Sequence, residues 1–246
     1  MAALARLASM EIKLFFREKQ AVFWTFLFPV LMIWLFGVMF GKEKIAGMSY
    51  SDAYVPSWIA VNLLTTSLFT IGTTLSSYRQ TGILRRFQAT PLRSWVILAS
   101  HMAYGLLVFC VSALVIVVFG AAAFQLDMPK YLGSTVIAAV LSVLALFPFG
   151  LFIASLAKNV RAAAAISSLL LNLMLFLSGA TFPLEMMPSF LQYVAKGLPL
   201  YYVIDLLRHT WNFSSIWDNG LDVAVLVGMF VVFTVLAARF FRWSAD

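Results

Sequence analysis

The sequence predicts an all-α integral membrane protein with six transmembrane helices, an N-terminal amphipathic interfacial helix, and re-entrant helices between spans five and six. Three observations carry that prediction. Of 246 residues, 63% are hydrophobic and 11% are charged, whereas a soluble domain carries about 25% charged residues. The apolar residues fall into six long runs, each close to the ~20 residues that cross a bilayer. Lys and Arg gather on alternate connections between those runs, as the positive-inside rule requires.

The first 20 residues read as an amphipathic helix. At about 100° per residue, Leu4, Ala8, Ile12, Phe15 and Phe16 share one face and Arg6, Lys13 and Arg17 another. Such a helix lies in the cytoplasmic interface with its basic face at anionic headgroups, or serves only as a positive-inside anchor for the first span. The spans follow at Ala21–Gly41, Ser57–Ser77, Val96–Ala123, Leu132–Ala157, Ala162–Ala180 and Leu221–Arg239. Spans three and four exceed the hydrocarbon thickness and are expected to tilt. Pro29 and Pro148 are expected to kink spans one and four.

Two connections carry more than a link. The loop Tyr78–Trp95, YRQTGILRRFQATPLRSW, is short and basic, and Pro91 ends any helix there near Ala89. It is an orientation signal, but Ile83, Leu84 and Phe87 form an apolar set at helical spacing that calls for burial against something, a partner protein being one candidate. The segment Thr181–Gly220 is too long for a structureless connection. Pro183, Pro188 and Pro199 cut it into apolar pieces too short to span, which suits helices that dip into the membrane, lie on its surface or pack as a cap. A seventh span at Pro199–Trp217 is rejected because it would hold Asp205, Arg208 and His209 at mid-bilayer.

With the N-terminus cytoplasmic, the inner side holds 12 of the 17 Lys and Arg residues with 3 acids, and the outer side holds 5 with 7 acids. The net is +9 inside and −2 outside, which places both termini in the cytoplasm of a multi-pass protein of the cell (inner) membrane.

Several function classes drop out. The positive charges sit in short clusters between apolar runs, not in an exposed stripe interleaved with aromatics, so no nucleic-acid partner is expected. The single cysteine, Cys110, offers neither a disulfide framework nor a Cys-based metal site, and no metal site is expected. The first apolar run is too long for a signal-peptide core and has no small-residue cleavage site. No P-loop, His-Glu-x-x-His or Gly-x-Ser-x-Gly motif occurs. His101 and His209 lie near opposite ends of the membrane domain and cannot share a site, and no span carries paired carboxylates. Catalysis on this chain and ion-coupled pumping are therefore not expected.

Polar stripes mark two spans. Asn62, Thr65, Thr66, Phe69, Thr70, Thr73 and Ser77 recur at three- and four-residue steps on span two. Ser168 and Asn172 do so on span five, continued by Leu175, Phe176 and Gly179. In lipid such a face either packs through interhelical hydrogen bonds or lines a wet cavity.

Three stretches resemble the type-2 ATP-binding-cassette permeases, the membrane subunits of bacterial drug, antibiotic and polysaccharide exporters. They are FWTFLFPVLMIWLFG at Phe23–Gly37, TGILRRFQATPLRSW at Thr81–Trp95, and LSGATFPLEMMPSFLQYVAKGLPLYYVIDLLR at Leu177–Arg208. With six spans in the same order, the resemblance covers essentially the whole chain as one permease domain. It implies a dimer of such subunits, homomeric or heteromeric, with two copies of an ABC ATPase subunit beneath. ATP and Mg would be bound by the ATPase, with no cofactor on this chain. The resemblance makes 82–92 the coupling helix, with Gly82, Ile83, Leu84, Arg85, Arg86, Phe87, Thr90 and Pro91 at the ATPase. Residues 1–20 become the connecting helix, contributing Glu11 and Arg17. Spans two and five then face the substrate path through Asn62, Thr65, Thr66, Phe69 and Thr73 and through Ser168, Asn172 and Phe176. The segment 181–220 supplies re-entrant helices, with Phe182, Pro183 and Leu184 at the outer gate.

The expected function is export of an amphiphilic small molecule (a drug, an antibiotic or a lipid-like compound) from the cytoplasm or inner leaflet by alternating access. Short outer loops and the ATPL of the cytoplasmic loop favour the drug and antibiotic branch over polysaccharide or glycolipid export. The rivals from other classes are an intramembrane enzyme and an assembly or sensor protein that binds an ATPase without moving substrate.

Overall fold

The computed structural model describes residues 2–41, 49–88 and 94–240, and every regular element among them is helical. Six helices are long and apolar enough to cross a membrane: span 1 Phe23–Phe40, span 2 Tyr50–Gln80, span 3 Leu98–Phe124, span 4 Leu132–Leu156, span 5 Val160–Leu177 and span 6 Gly220–Phe240. They follow the order of the six apolar runs. Span 2 departs most from expectation, beginning at Tyr50, seven residues before Ser57. Ser49 caps it by accepting the Asp52 N–H at 3.3 Å, and Pro56 is carried inside the helix. The stretch YSDAYVP is polar enough to read as loop, yet Tyr50, Ala53, Tyr54 and Val55 are buried in the core. Helix Leu132–Leu156 likewise runs through Pro148 without interruption.

Span 2 is the central post. Buried residues make up 78% of its most apolar window, against 17% for spans 5 and 6, so the outer spans present their apolar side chains outward. Around it pack spans 1, 3, 4 and 5. Without a hydrophobic driving force between helices in lipid, close backbone approach and hydrogen bonds hold such a bundle. Gly150 of span 4 provides the closest approach. A Cβ there would sit 2.1 Å from the Ser67 carbonyl oxygen of span 2, and the Ser67 hydroxyl donates to the Leu146 carbonyl.

Span 2 is also irregular. Residues Thr66–Thr73 form a π-helical segment between α-helical Tyr50–Thr65 and Thr74–Gln80, and span 1 opens with a shorter one, Phe23–Leu27. Helix Ala2–Arg17, the expected interfacial helix, ends just before Lys19–Val22 leads into span 1. It packs on span 3 through Phe15, which meets Tyr104 edge-on at 6.1 Å between ring centroids. Phe16, expected on the same face, is 53% exposed.

Beyond span 5 come two helices, Ser189–Ala195 and Pro199–Asn212. The second is 14 residues long, about 21 Å against the ~30 Å hydrocarbon core, so it does not form a seventh span. It is wedged against spans 2 and 4 with Leu200, Val203, Ile204 and Leu207 buried. Burial raises the Asp205 carboxyl above the usual range, against the pull of His209 and Arg208.

Arg208 of that helix ties together the half of the bundle expected to be outer. Its Nε donates to the Ala53 carbonyl at 3.0 Å and the Ser57 hydroxyl at 2.6 Å, and Nη2 donates to the Gly179 carbonyl at 2.9 Å. One guanidinium thus joins span 2, the turn after span 5 and the outer helix. Arg208→Met, which keeps the length and removes the charged donors, is expected to cost about 2–3 kcal/mol. Arg208→Lys should recover only part, because an ammonium lacks the fork geometry. Thermal unfolding in detergent checks this, and an unchanged midpoint for Arg208→Met would show that these bonds do not hold the outer half.

Candidate functional site

Spans 1, 2 and 5, with the interfacial helix, enclose a cavity of about 760 Å3. Its wall carries Asn62, Thr65, Phe69 and Thr73 from span 2 and Ser168 and Asn172 from span 5. Both polar stripes therefore meet in one space. Among the lining residues only Glu18 and Lys19 are formally charged, and both sit at the interfacial-helix end. Trp24, Phe28, Trp58 and Tyr104 add aromatic surface. The Trp58 indole N–H is buried without a partner.

The stripe residues are used in different ways. Asn62 is 1% exposed and committed at both ends: its Nδ2 donates to the Thr25 carbonyl at 2.7 Å and its Oδ1 accepts from Ser112 of span 3. It fastens spans 1, 2 and 3 while bordering the cavity. Ser168 and Asn172 are exposed, with Asn172 Nδ2 donating to the Ser168 carbonyl at 2.8 Å. Thr66 does not line the cavity. Its hydroxyl is buried and unpartnered at the first position of the π-helical segment. Phe176 also lies outside the lining and stacks on Phe182 at 6.5 Å. Phe182 is 45% exposed, and Leu184 packs beside Gly179, whose φ of +81° forms the turn leaving span 5.

Phe15, Trp24, Thr25, Phe28 and Tyr104 were not signalled by polar periodicity. The available signal was the aromatic density of FWTFLF, which reads equally as lipid-facing surface.

At the other end of span 2, helix Ile83–Gln88 occupies the loop between spans 2 and 3. Leu84 is fully buried and Arg86 is exposed. Thr90 and Pro91 lie outside the described residues, as do the side chains of Arg85 and Phe87. The helix is entered through Gly82 at φ +72°, whose N–H donates to the Arg79 carbonyl at 3.2 Å. The Arg79 guanidinium is buried and donates to the Ala157 carbonyl at the end of span 4. Arg17 of the interfacial helix is exposed, whereas Glu11 turns inward and meets His101 at 2.8 Å.

With this geometry in place, residues 3–211 match the family model for the ABC-2 type transporter. The chain belongs to the ABC-2 type transporter family. It is a multi-pass membrane permease subunit. A Bacillus subtilis (strain 168) protein provisionally named transport permease YvfS is 25% identical over 235 residues, 92% of each chain. Nodulation protein J of Rhizobium leguminosarum bv. viciae is 29% identical over 220 residues, 85% of this chain and 83% of that one. A protein of Escherichia coli (strain K12) provisionally named multidrug ABC transporter permease YbhR is 28% identical over 178 residues, 72% of this chain and 47% of that one.

Nothing lies within 4 Å of a Cβ at Gly82, so the demand there is conformational, not steric. Gly82→Ala is expected to cost about 1–2 kcal/mol of local order, and Gly82→Asn less, since Asn tolerates the left-handed region. Trypsin cleavage of the loop in vesicles should be fastest for Gly82→Ala. Equal rates for all three chains would show that the turn does not need a left-handed residue.

Proposed function

We propose that this permease is the path-forming subunit of an ATP-driven exporter for a neutral or weakly charged amphiphile, a drug, an antibiotic or a lipid-like molecule. The observation that carries the reading is the single cavity in which the stripes of spans 2 and 5 converge, aromatic and hydroxyl-bearing along its wall and charged only at one end. Such a wall offers stacking area with a few hydrogen-bonding groups, the mix that holds amphiphiles in pockets. The relative provisionally named as a multidrug permease agrees with export of this kind.

Energy comes from elsewhere in the complex. Two copies of an ABC ATPase, carrying ATP and Mg, dock below a pair of permease subunits in the inner membrane, with both termini of this chain cytoplasmic. The loop helix with exposed Arg86 and the exposed Arg17 of the interfacial helix present the docking surface. Phe87, Thr90 and Pro91 complete it. ATP-driven closure rocks the permeases, so that the cavity opens first inward and then outward past Phe182, Pro183 and Leu184.

ATP-dependent uptake of a fluorescent amphiphile into inverted vesicles is the direct test. Uptake that needs ATP and the ATPase supports the reading, and no uptake across a panel of neutral amphiphiles counts against transport. Within that assay, Phe69→Ala and Asn172→Leu are expected to change substrate-stimulated ATP hydrolysis with expression unaltered. Arg86→Asp and Phe87→Asp are expected to release the ATPase while leaving membrane insertion intact. Unaltered stimulation would return the stripes to helix packing, and an intact complex would move the docking surface elsewhere.

A further inference from the structure

A buried polar cluster joins the interfacial helix to the cavity wall, and neither docking nor substrate contact explains it. Glu11 has a side chain only 12% exposed and places its carboxylate 2.8 Å from His101 Nδ1. His101, 1% exposed, places Nε2 3.2 Å from the carbonyl oxygen of Ile71, inside the π-helical segment of span 2. Each ring nitrogen therefore faces an oxygen, one on the interfacial helix and one on span 2. The Tyr78 hydroxyl, two residues before the end of span 2, also hydrogen-bonds to Glu11. Tyr78 and Tyr104 flank the imidazole with ring centroids 6.0 and 5.8 Å away.

The placement is informative because of what each end touches. Glu11 sits on the helix that carries exposed Arg17, and Tyr78 lies five residues before the loop helix Ile83–Gln88, so both belong to the end of the bundle proposed to meet the ATPase. Ile71 lies between Phe69 and Thr73, which line the cavity. Burying polar side chains is costly unless their hydrogen bonds are satisfied. Here they are: one buried residue, His101, bridges two elements that share no contact in sequence.

We infer that Glu11 and His101 are positioning residues that lock the interfacial helix to the π-helical segment of span 2, so that displacement at the cytoplasmic face moves the cavity wall with it. The inference rests on the transport reading above and adds the physical link between its two ends. The contacts run in one line: interfacial helix, Glu11, His101, Ile71 carbonyl, cavity wall. Cutting the link should leave ATP hydrolysis running without moving the wall.

The test uses the permease in complex with the ATPase it co-purifies with, reconstituted in liposomes. Cys110→Ala removes the native thiol, and Thr74→Cys reports from the cavity side of span 2. Labelling by a water-soluble maleimide is compared with and without ATP plus vanadate. The expected result is a nucleotide-dependent difference that Glu11→Gln keeps, since Gln still accepts from His101, and that Glu11→Ala and His101→Ala lose while basal ATP hydrolysis continues. Tyr78→Phe removes one hydroxyl and leaves the packing intact. It should shrink the difference, and it decides the matter if an alanine variant does not assemble. A full-sized difference in Glu11→Ala, or in Tyr78→Phe where that variant must decide, overturns this inference and leaves the transport reading standing. No nucleotide dependence in the Thr74→Cys chain with its cluster intact overturns the transport reading and the inference together.

Discussion

A backbone carbonyl in hydrocarbon has no water to accept from, so any break in a helix's hydrogen-bond ladder must be made good by neighbouring groups. Span 2 departs from α-helical pairing over Thr66–Thr73 and span 1 over Phe23–Leu27, where the wider π-helical register replaces it. Polar side chains of neighbouring helices reach carbonyls in these segments. Asn62 donates to the Thr25 carbonyl, Ser167 of span 5 approaches the Leu68 carbonyl at 3.4 Å, and His101 Nε2 of span 3 lies 3.2 Å from the Ile71 carbonyl, which also accepts from the Thr74 N–H. The irregular turns thereby become the seams along which the spans are sewn together, and they fall where the cavity lies. π-helical turns often mark functional sites.

The two halves of the membrane domain are held by different chemistry. At one end Arg208 gathers three acceptors from span 2 and the turn after span 5, and Tyr54 adds a hydroxyl bond of 2.7 Å to the Thr181 carbonyl. At the other end Glu11 and His101 do the equivalent work for the helix Ala2–Arg17. Between them Gly150 lets span 4 lie against the carbonyl of Ser67. The middle is thus tightly packed on the span 4 side of span 2 and open on the side of spans 1 and 5.

Much of the fold was legible because lipid imposes a coarse rule, a long uncharged run per crossing, and the chain obeys it six times. The start of span 2 was not, because Asp52 and Ser51 disguise a helix that other helices bury. Of the candidate cavity residues, Thr65, Phe69, Thr73, Ser168 and Asn172 were legible through α-helical periodicity. Thr66 shares that periodicity but is buried outside the lining, because a stripe read from spacing does not say where its edge falls. Arg208 read as an outer-surface charge because nothing local announces three acceptors from distant segments. Glu11 and His101 are 90 residues apart, so no spacing rule pairs them. Membership of the ABC-2 type transporter family follows from the whole chain, whereas the uses of individual side chains follow only from where the fold puts them.

The account turns on the register of span 2, and a cysteine scan of positions 62 to 74 in the Cys110→Ala background measures it most directly. Under nucleotide-free conditions a water-soluble maleimide should label cysteines at Thr65, Phe69 and Thr73 and spare one at Thr66. Labelling at Thr66 equal to that at Phe69 would place Thr66 on the wall, and would contradict the face of span 2 on which the cavity is built.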